Sequence, residues 1–218
     1  MQTYSDTKCQ IPDSLNLAEA ATIPDNFVTA YFTLFDSLRL PVPISLPALQ
    51  PPVEKDTPIL IYGSGTTAGQ YLIQLLRLAG YRRILTTASP KHRKHLLSLG
   101  ATDVFDYSQS NLSDHILAST HGQPVKYVVD CVAAESTLQQ IAKVVGKGSI
   151  VSILLPIKEG STATGAPGGA MWMELPKDRN PFPEGVELVG TKTFTYQNVR
   201  DTHSFSLLLV HINSSIHM

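Results

Sequence analysis

The 218 residues carry 17 Lys and Arg against 18 Asp and Glu, a formal net charge of −1, and 43% of them are hydrophobic. A near-neutral chain gives no electrostatic case for nucleic acid or an anionic membrane surface, and no run reaches the ~18 apolar residues of a membrane-spanning helix. The two cysteines, Cys9 and Cys131, build no disulfide framework, so a reducing cytoplasm is the expected setting. The opening MQTYSDTKCQIPDS lacks the apolar stretch of a secretory signal. None of the seven histidines pairs with Cys or a second His at ligand spacing, so no metal site is expected.

The first predicted element is helical, over Leu15–Leu40. Phe27, Val28, Tyr31, Leu34, Phe35 and Leu38 recur at helical spacing, and Pro24 with Asp25 suits a helix start. Asp36 and Arg39 are spaced to pair across one turn of it. Pro41–Pro58 carries Pro43, Pro47, Pro51 and Pro52 between its ends and reads as an extended connector.

Strands and helices then alternate. The predicted strands are Ile59–Tyr62, Arg83–Thr87, Asp103–Phe105, Lys126–Val132, Ser149–Leu155 and Val186–Val189. The helices between them are Thr67–Ala79, Pro90–Leu99, Leu112–Thr120 and Glu135–Val145. Gly160–Gly169, rich in Gly, Ser and Thr, reads as a mobile loop. Such alternation predicts an α/β fold: a Rossmann-type doubly wound parallel sheet, preceded by a helical N-terminal segment.

The first strand runs straight into Gly63, Gly65 and Gly69, and a helical pattern follows. In a dinucleotide-binding turn the first glycine permits the tight bend. The second lets the backbone approach a diphosphate, and the third lets helix and strand pack closely. The helix N-terminus adds free N–H groups and a positive dipole end. The spacing G-x-G-x-x-x-G is one residue longer than the commonest fingerprint.

The end of the second strand decides the cofactor. An NAD site places Asp or Glu there, about 20 residues past the glycines, to hold the ribose 2′-hydroxyl. This strand ends Thr86-Thr87-Ala88-Ser89, with no acid to repel a phosphate. Ser89 is placed to cap a helix with Pro90 at its first position. Lys91, His92, Arg93 and Lys94 follow within a turn, and small hydroxyls beside a basic turn favour NADPH.

Together, LNLAEAATIPDNFVTAYFTLF, ILIYGSGTTAGQYLIQLLRLAGY, ILTTASPKHRKHLLSLGATDVFDYS, YVVDCVAAEST and GSIVSILLP resemble the zinc-independent branch of the medium-chain dehydrogenase/reductase superfamily. In particular they resemble its fungal trans-acting enoyl reductases of polyketide biosynthesis. The resemblance covers roughly residues 11–195. It implies that Thr66, Thr67, Ala68 and Gly69 form the diphosphate turn. Ser89, Pro90, Lys91 and His92 match the 2′-phosphate segment, where the family more often ends in Asn. Tyr107 matches a tyrosine at the adenosine end, and Leu154 and Leu155 a strand end beside the nicotinamide. Tyr31, Phe35, Leu38 and the loop around Trp172 match substrate-lining segments.

The resemblance also implies a division into residues 1–57, a helical segment and connector toward a GroES-like domain; 58–195, the NADP-binding domain; and 196–218, an atypical tail. The family's GroES-like catalytic domain has no counterpart here and the C-terminal extension is incomplete, so a truncated or repurposed reductase is expected.

The residues themselves offer no convincing catalytic dyad. Cys131 ends a strand and reads as a small core residue before it reads as a nucleophile. The expected function is an NADPH-dependent enoyl reductase-like protein acting on an α,β-unsaturated thioester or ketone, either a small molecule or carrier-bound. A polyketide synthase is the expected partner and a homodimer the expected assembly. Two other classes stand beside it: a non-redox cyclase holding its substrate between Tyr31, Phe35 and Trp172, and an inactive cofactor-binding partner of a synthase.

Overall fold

The computed structural model describes residues 16–154, 156–161 and 167–191. Six parallel strands form one sheet: β1 Ile59–Tyr62, β2 Ile84–Ala88, β3 Asp103–Asp106, β4 Tyr127–Asp130, β5 Ile150–Leu154 and β8 Glu187–Thr191. Their spatial order is β3-β2-β1-β4-β5-β8. The chain therefore leaves β1 on one side and returns to its other side at β4. The crevice of a doubly wound sheet opens at such a reversal, above the strands' C-terminal ends. Register brings Tyr62 beside both Thr87 and Asp130, and Asp130 beside Ile153, so these ends share one edge.

Every residue of β1, β2 and β4 is buried, because helices cover both faces. Ile59, Ile61, Ile84, Tyr127 and Val129 face a core with α1 (Leu17–Phe32), α2 (Thr67–Leu78) and α3 (Arg93–Leu99). Leu60, Tyr62, Leu85, Val128, Val151 and Ile153 face a second core with α4 (Leu112–Ser119) and α5 (Glu135–Ala142).

The expected helix start at Pro24 is corrected: α1 begins at Leu17 and passes through Pro24. An interior proline costs about 3 kcal/mol, but burying a large apolar side chain returns about 1.5–3 kcal/mol. Phe27, Ala30 and Tyr31 are all buried, and Phe27 meets Tyr71 of α2 edge-on at 6.0 Å. Past Phe32 the helix widens into a π-turn, Thr33–Ser37. There the chain meets the far end of β8. Thr191 Oγ1 lies 3.2 Å from Thr33 Oγ1, 3.2 Å from Ser37 Oγ and 2.8 Å from Ser152 Oγ, all buried. Arg39 does not take Asp36 as its partner; its guanidinium forks onto Glu187 of β8.

The connector 41–58 is free of helix and strand, as its prolines require. A two-residue hairpin, β6 Ile157–Lys158 with β7 Met171–Trp172, was not expected. Part of the expected loop Gly160–Gly169 lies outside the described residues, as do Leu155 and the tail 196–218.

Candidate functional site

The turn between β1 and α2 sits at the crevice. Gly63 has φ +81°, and a Cβ there would stand 2.5 Å from Val132 Cγ2. A Cβ on Gly69 would stand 2.6 Å from Ser64 Cα, so the turn lies directly on its own helix. A Cβ on Gly65 would meet only the His92 ring, at 3.3 Å. That contact brings the glycine turn and the basic turn after β2 together across one cleft.

Thr87, which sequence reasoning passed over, fastens the glycine turn. Its hydroxyl accepts the Gly63 amide at 2.9 Å and its carbonyl accepts the Ser64 amide at 2.9 Å. Thr66 caps α2, its Oγ1 accepting from the Gly69 amide at 3.1 Å. A helix leaves its first four N–H groups without intrahelical partners. Among the described residues none offers an acceptor to the amides of Gly65, Thr67 or Ala68. These three donors and the positive end of α2 compose a ready anion cradle.

Ser89 is half-buried after β2, and Pro90 opens a single 3₁₀ turn, Pro90–His92. The expected side-chain cap is corrected: Ser89 Oγ makes no cap bond, and its carbonyl takes the His92 amide at 2.9 Å instead. The tight 3₁₀ closure satisfies that donor from the backbone and leaves the hydroxyl for other partners. Lys91 is exposed and His92 half-buried. Tyr107 is 52% exposed beyond β3. Burial, with Asp130 and Tyr107 nearby, pushes the Tyr62 phenol up to about 12. Leu154 is half-buried at the end of β5, beside Thr191.

Cys131 is half-buried, and burial above all, with Asp130 beside it, raises its thiol far above the ordinary value. A thiol held protonated is a poor nucleophile. Asp130 itself is fully buried and accepts from the Val132 and Ala133 amides at 2.9 and 3.0 Å.

The residues expected to line a substrate site are not brought together. Tyr31, Phe35 and Leu38 are buried in the core of α1 and α2. Trp172 packs against the core of α4 and α5, across the sheet. Arg179 lies 5.2 Å over the Trp172 ring and pairs with Glu135 at 2.7 Å and Glu159 at 3.2 Å, strapping the β6–β7 hairpin down. Among the described residues no group of three or more His, Cys, Asp or Glu could hold a metal ion, and no helix is long and apolar enough to cross a membrane.

The fold and much of the sequence are matched elsewhere. Residues 68–160 match the family model described as zinc-binding dehydrogenase. The trans-enoyl reductase buaC of Petromyces alliaceus is 35% identical over 195 residues, covering 83% of this chain and 52% of its own length. The trans-enoyl reductase TOXD of Cochliobolus carbonum is 39% identical over 130 residues, 60% of this chain and 41% of its own. Among solved structures, the CurK enoyl reductase superimposes with a TM-score of 0.66 at 20% identity, over 91% of this chain and 51% of that one. 2-Haloacrylate reductase does so with 0.67 at 15%, over 94% and 57%. The chain thus spans about half the length of the relatives it matches. It is similar to the fungal trans-enoyl reductases, and these matches support a place in the medium-chain dehydrogenase/reductase superfamily.

Proposed function

We propose that this chain is the cofactor-binding part of an NADPH-dependent enoyl reductase. A nicotinamide dinucleotide is the cofactor the family implies, and the residues present fit one. The observation that carries the reading is the trio of amides at Gly65, Thr67 and Ala68, left without acceptors among the described residues at the N-terminus of α2. A diphosphate supplies the acceptors these donors need.

Thr66 and Thr87 hold the turn in shape before any ligand arrives, so little ordering is left for binding. Ser89, with Lys91 and His92 following and no acid at the strand end, would take the 2′-phosphate and favour NADPH over NADH. Leu154, with Leu155 next in sequence, would border the nicotinamide. When bound, the reduced nicotinamide supplies hydride to the β-carbon of an α,β-unsaturated thioester or ketone. Within this chain no acid or base is assigned to that step; its residues orient the cofactor. The substrate is proposed as a small or carrier-bound acyl group, with a polyketide synthase delivering it. β8 has no strand on its outer side among the described residues, so pairing with a second copy there is the proposed assembly.

Fluorescence titration of the purified chain with NADPH and with NADH tests the reading. Tighter binding of NADPH is expected. Equal affinity would remove the 2′-phosphate assignment, and no binding of either would remove the dinucleotide reading.

A further inference from the structure

The turn after β4 faces the glycine turn, and its shape is not the chain's default. Ala133 sits at φ +54°, a conformation an L-residue with a side chain avoids. Two clamps hold it there. From inside, Asp130 Oδ1 accepts the Val132 and Ala133 amides. From outside, Lys158 of β6 donates its amide to the Ala133 carbonyl at 2.8 Å and its ammonium to the Val132 carbonyl at 2.7 Å. The Cys131 amide ties the same turn to the Tyr62 carbonyl at 2.9 Å. The clamped turn then presents Val132 to Gly63, so tightly that no Cβ fits between them.

We propose that Asp130 is the positioning residue of the dinucleotide cradle. With Thr137 it fixes the turn 130–134, so that Val132 braces Gly63 and the amides of Gly65, Thr67 and Ala68 beyond it are held where they would meet a diphosphate. This rests on the dinucleotide reading given above.

Thr137 is the second half of the device. Its Oγ1 lies within hydrogen-bond reach of Asp130 Oδ2 and 2.8 Å from the Ala134 carbonyl, and it accepts the Ala134 amide at 3.1 Å. One hydroxyl proton cannot serve two acceptors. A proton on Oδ2 resolves this: the carboxyl donates to Thr137, and Thr137 donates to Ala134. Burial pushes the Asp130 carboxyl up in the same sense, against the Thr137 hydroxyl, the two amides and the Lys158 ammonium, which pull it down. The other titratable groups facing it are Tyr62 and Cys131 at the strand ends. An amide side chain reproduces a protonated carboxyl's pattern, with its oxygen on the two backbone amides and its NH₂ on Thr137.

The test uses the full chain, with hydrogen exchange of the apo protein and NADPH titration read together. Asp130→Ala and Thr137→Val should speed exchange in segments 131–134 and 63–65 and weaken NADPH by about tenfold or more, as expected for a hydrogen bond to a buried polar group. Asp130→Asn and Thr137→Ser should restore both readouts. If Asp130→Ala does not fold, Thr137→Val carries the test. Unchanged exchange at 63–65 in Thr137→Val would overturn the proposal. So would an affinity loss in Asp130→Asn equal to that in Asp130→Ala. If exchange responds as expected while the unaltered chain binds neither NADPH nor NADH, the positioning of the turn stands and the dinucleotide reading falls.

Discussion

Thr87 holds Gly63 by its side chain: the Gly63 amide donates to Thr87 Oγ1 at 2.9 Å, across the parallel pair β1–β2. The glycine turn is therefore not free to flex about its own φ angles. Its start is tied to the next strand, and the same strand's end leads into the basic turn at Ser89.

Removing that tie should be costly out of proportion to its size. Thr87→Val keeps the branched shape but leaves the Gly63 amide without its acceptor. A half-buried donor stranded in this way costs up to about 1–3 kcal/mol. Urea unfolding should show a loss in that range, and NADPH affinity should fall with it.

Gly69 and Gly65 should respond differently to a methyl group. Gly69→Ala drives Cβ into Ser64 backbone atoms that cannot yield, and a loss of about 3 kcal/mol or more is expected. Gly65→Ala meets only the His92 ring, which can turn aside, so a loss below about 1 kcal/mol is expected. Gly65→Val should retain the fold by circular dichroism and lose dinucleotide binding, because a branched side chain blocks approach to the amides. Thermal melts and NADPH titration of the three variants check the order.

Ser89→Asp places a carboxylate where a 2′-phosphate is proposed to sit. Like charges brought together at a binding site cost several kcal/mol, so NADPH should weaken about tenfold or more. NADH, with a hydroxyl at that position, should weaken less or gain. Paired titrations give the ratio, and an unchanged ratio would move the 2′-site away from Ser89.

Acid stability should carry the mark of Glu135. The Arg179 guanidinium, then the Gly160 amide, lower its carboxyl below the ordinary value of 4.5. A carboxylate depressed in the folded state stabilises above its unfolded value, and that contribution is lost as pH falls through the folded one. Glu135→Gln should therefore melt lower than the unaltered chain at pH 7. The two curves should converge once pH drops well below 4.5. Arg179 is exposed, so solvent screening keeps the difference small. Melts at pH 7, 5 and 3.5 would decide it.

Much of the sheet was legible because its strands are buried on both faces. Ile59–Tyr62 reads as one apolar run, and it is β1 to the residue; the helix starting at Thr67 is announced by the glycines before it. What escaped were features made by distant contacts or by very short elements. Nothing near Arg39 signals Glu187, 148 positions on. The β6–β7 hairpin has two residues a side, too few for a period. Pro24 misled because local preference lost to the burial of Phe27 and Tyr31. At the site, the glycines and Ser89 were visible as residue types. Thr87 was not, since a threonine at a strand end is ordinary until its hydroxyl is seen on Gly63. Asp130 lies inside the predicted strand Lys126–Val132, where nothing in the sequence marks it apart.

The hydroxyl cluster around Thr191 has a consequence for how the chain matures. Thr33 and Ser37 precede Thr191 by 158 and 154 positions. A nascent chain delivers its N-terminal parts first. Until Glu187–Thr191 arrives, the π-turn and Ser152 must keep polar groups without this partner. The early helix can pack on α2, but its final seating waits for β8. Folding of this chain should thus include a late annealing step, in which β8 docks and α1 locks. A ribosome-stalled chain ending before residue 187 should show the Thr33–Ser37 region still open to proteolysis, while segment 59–154 is already protected.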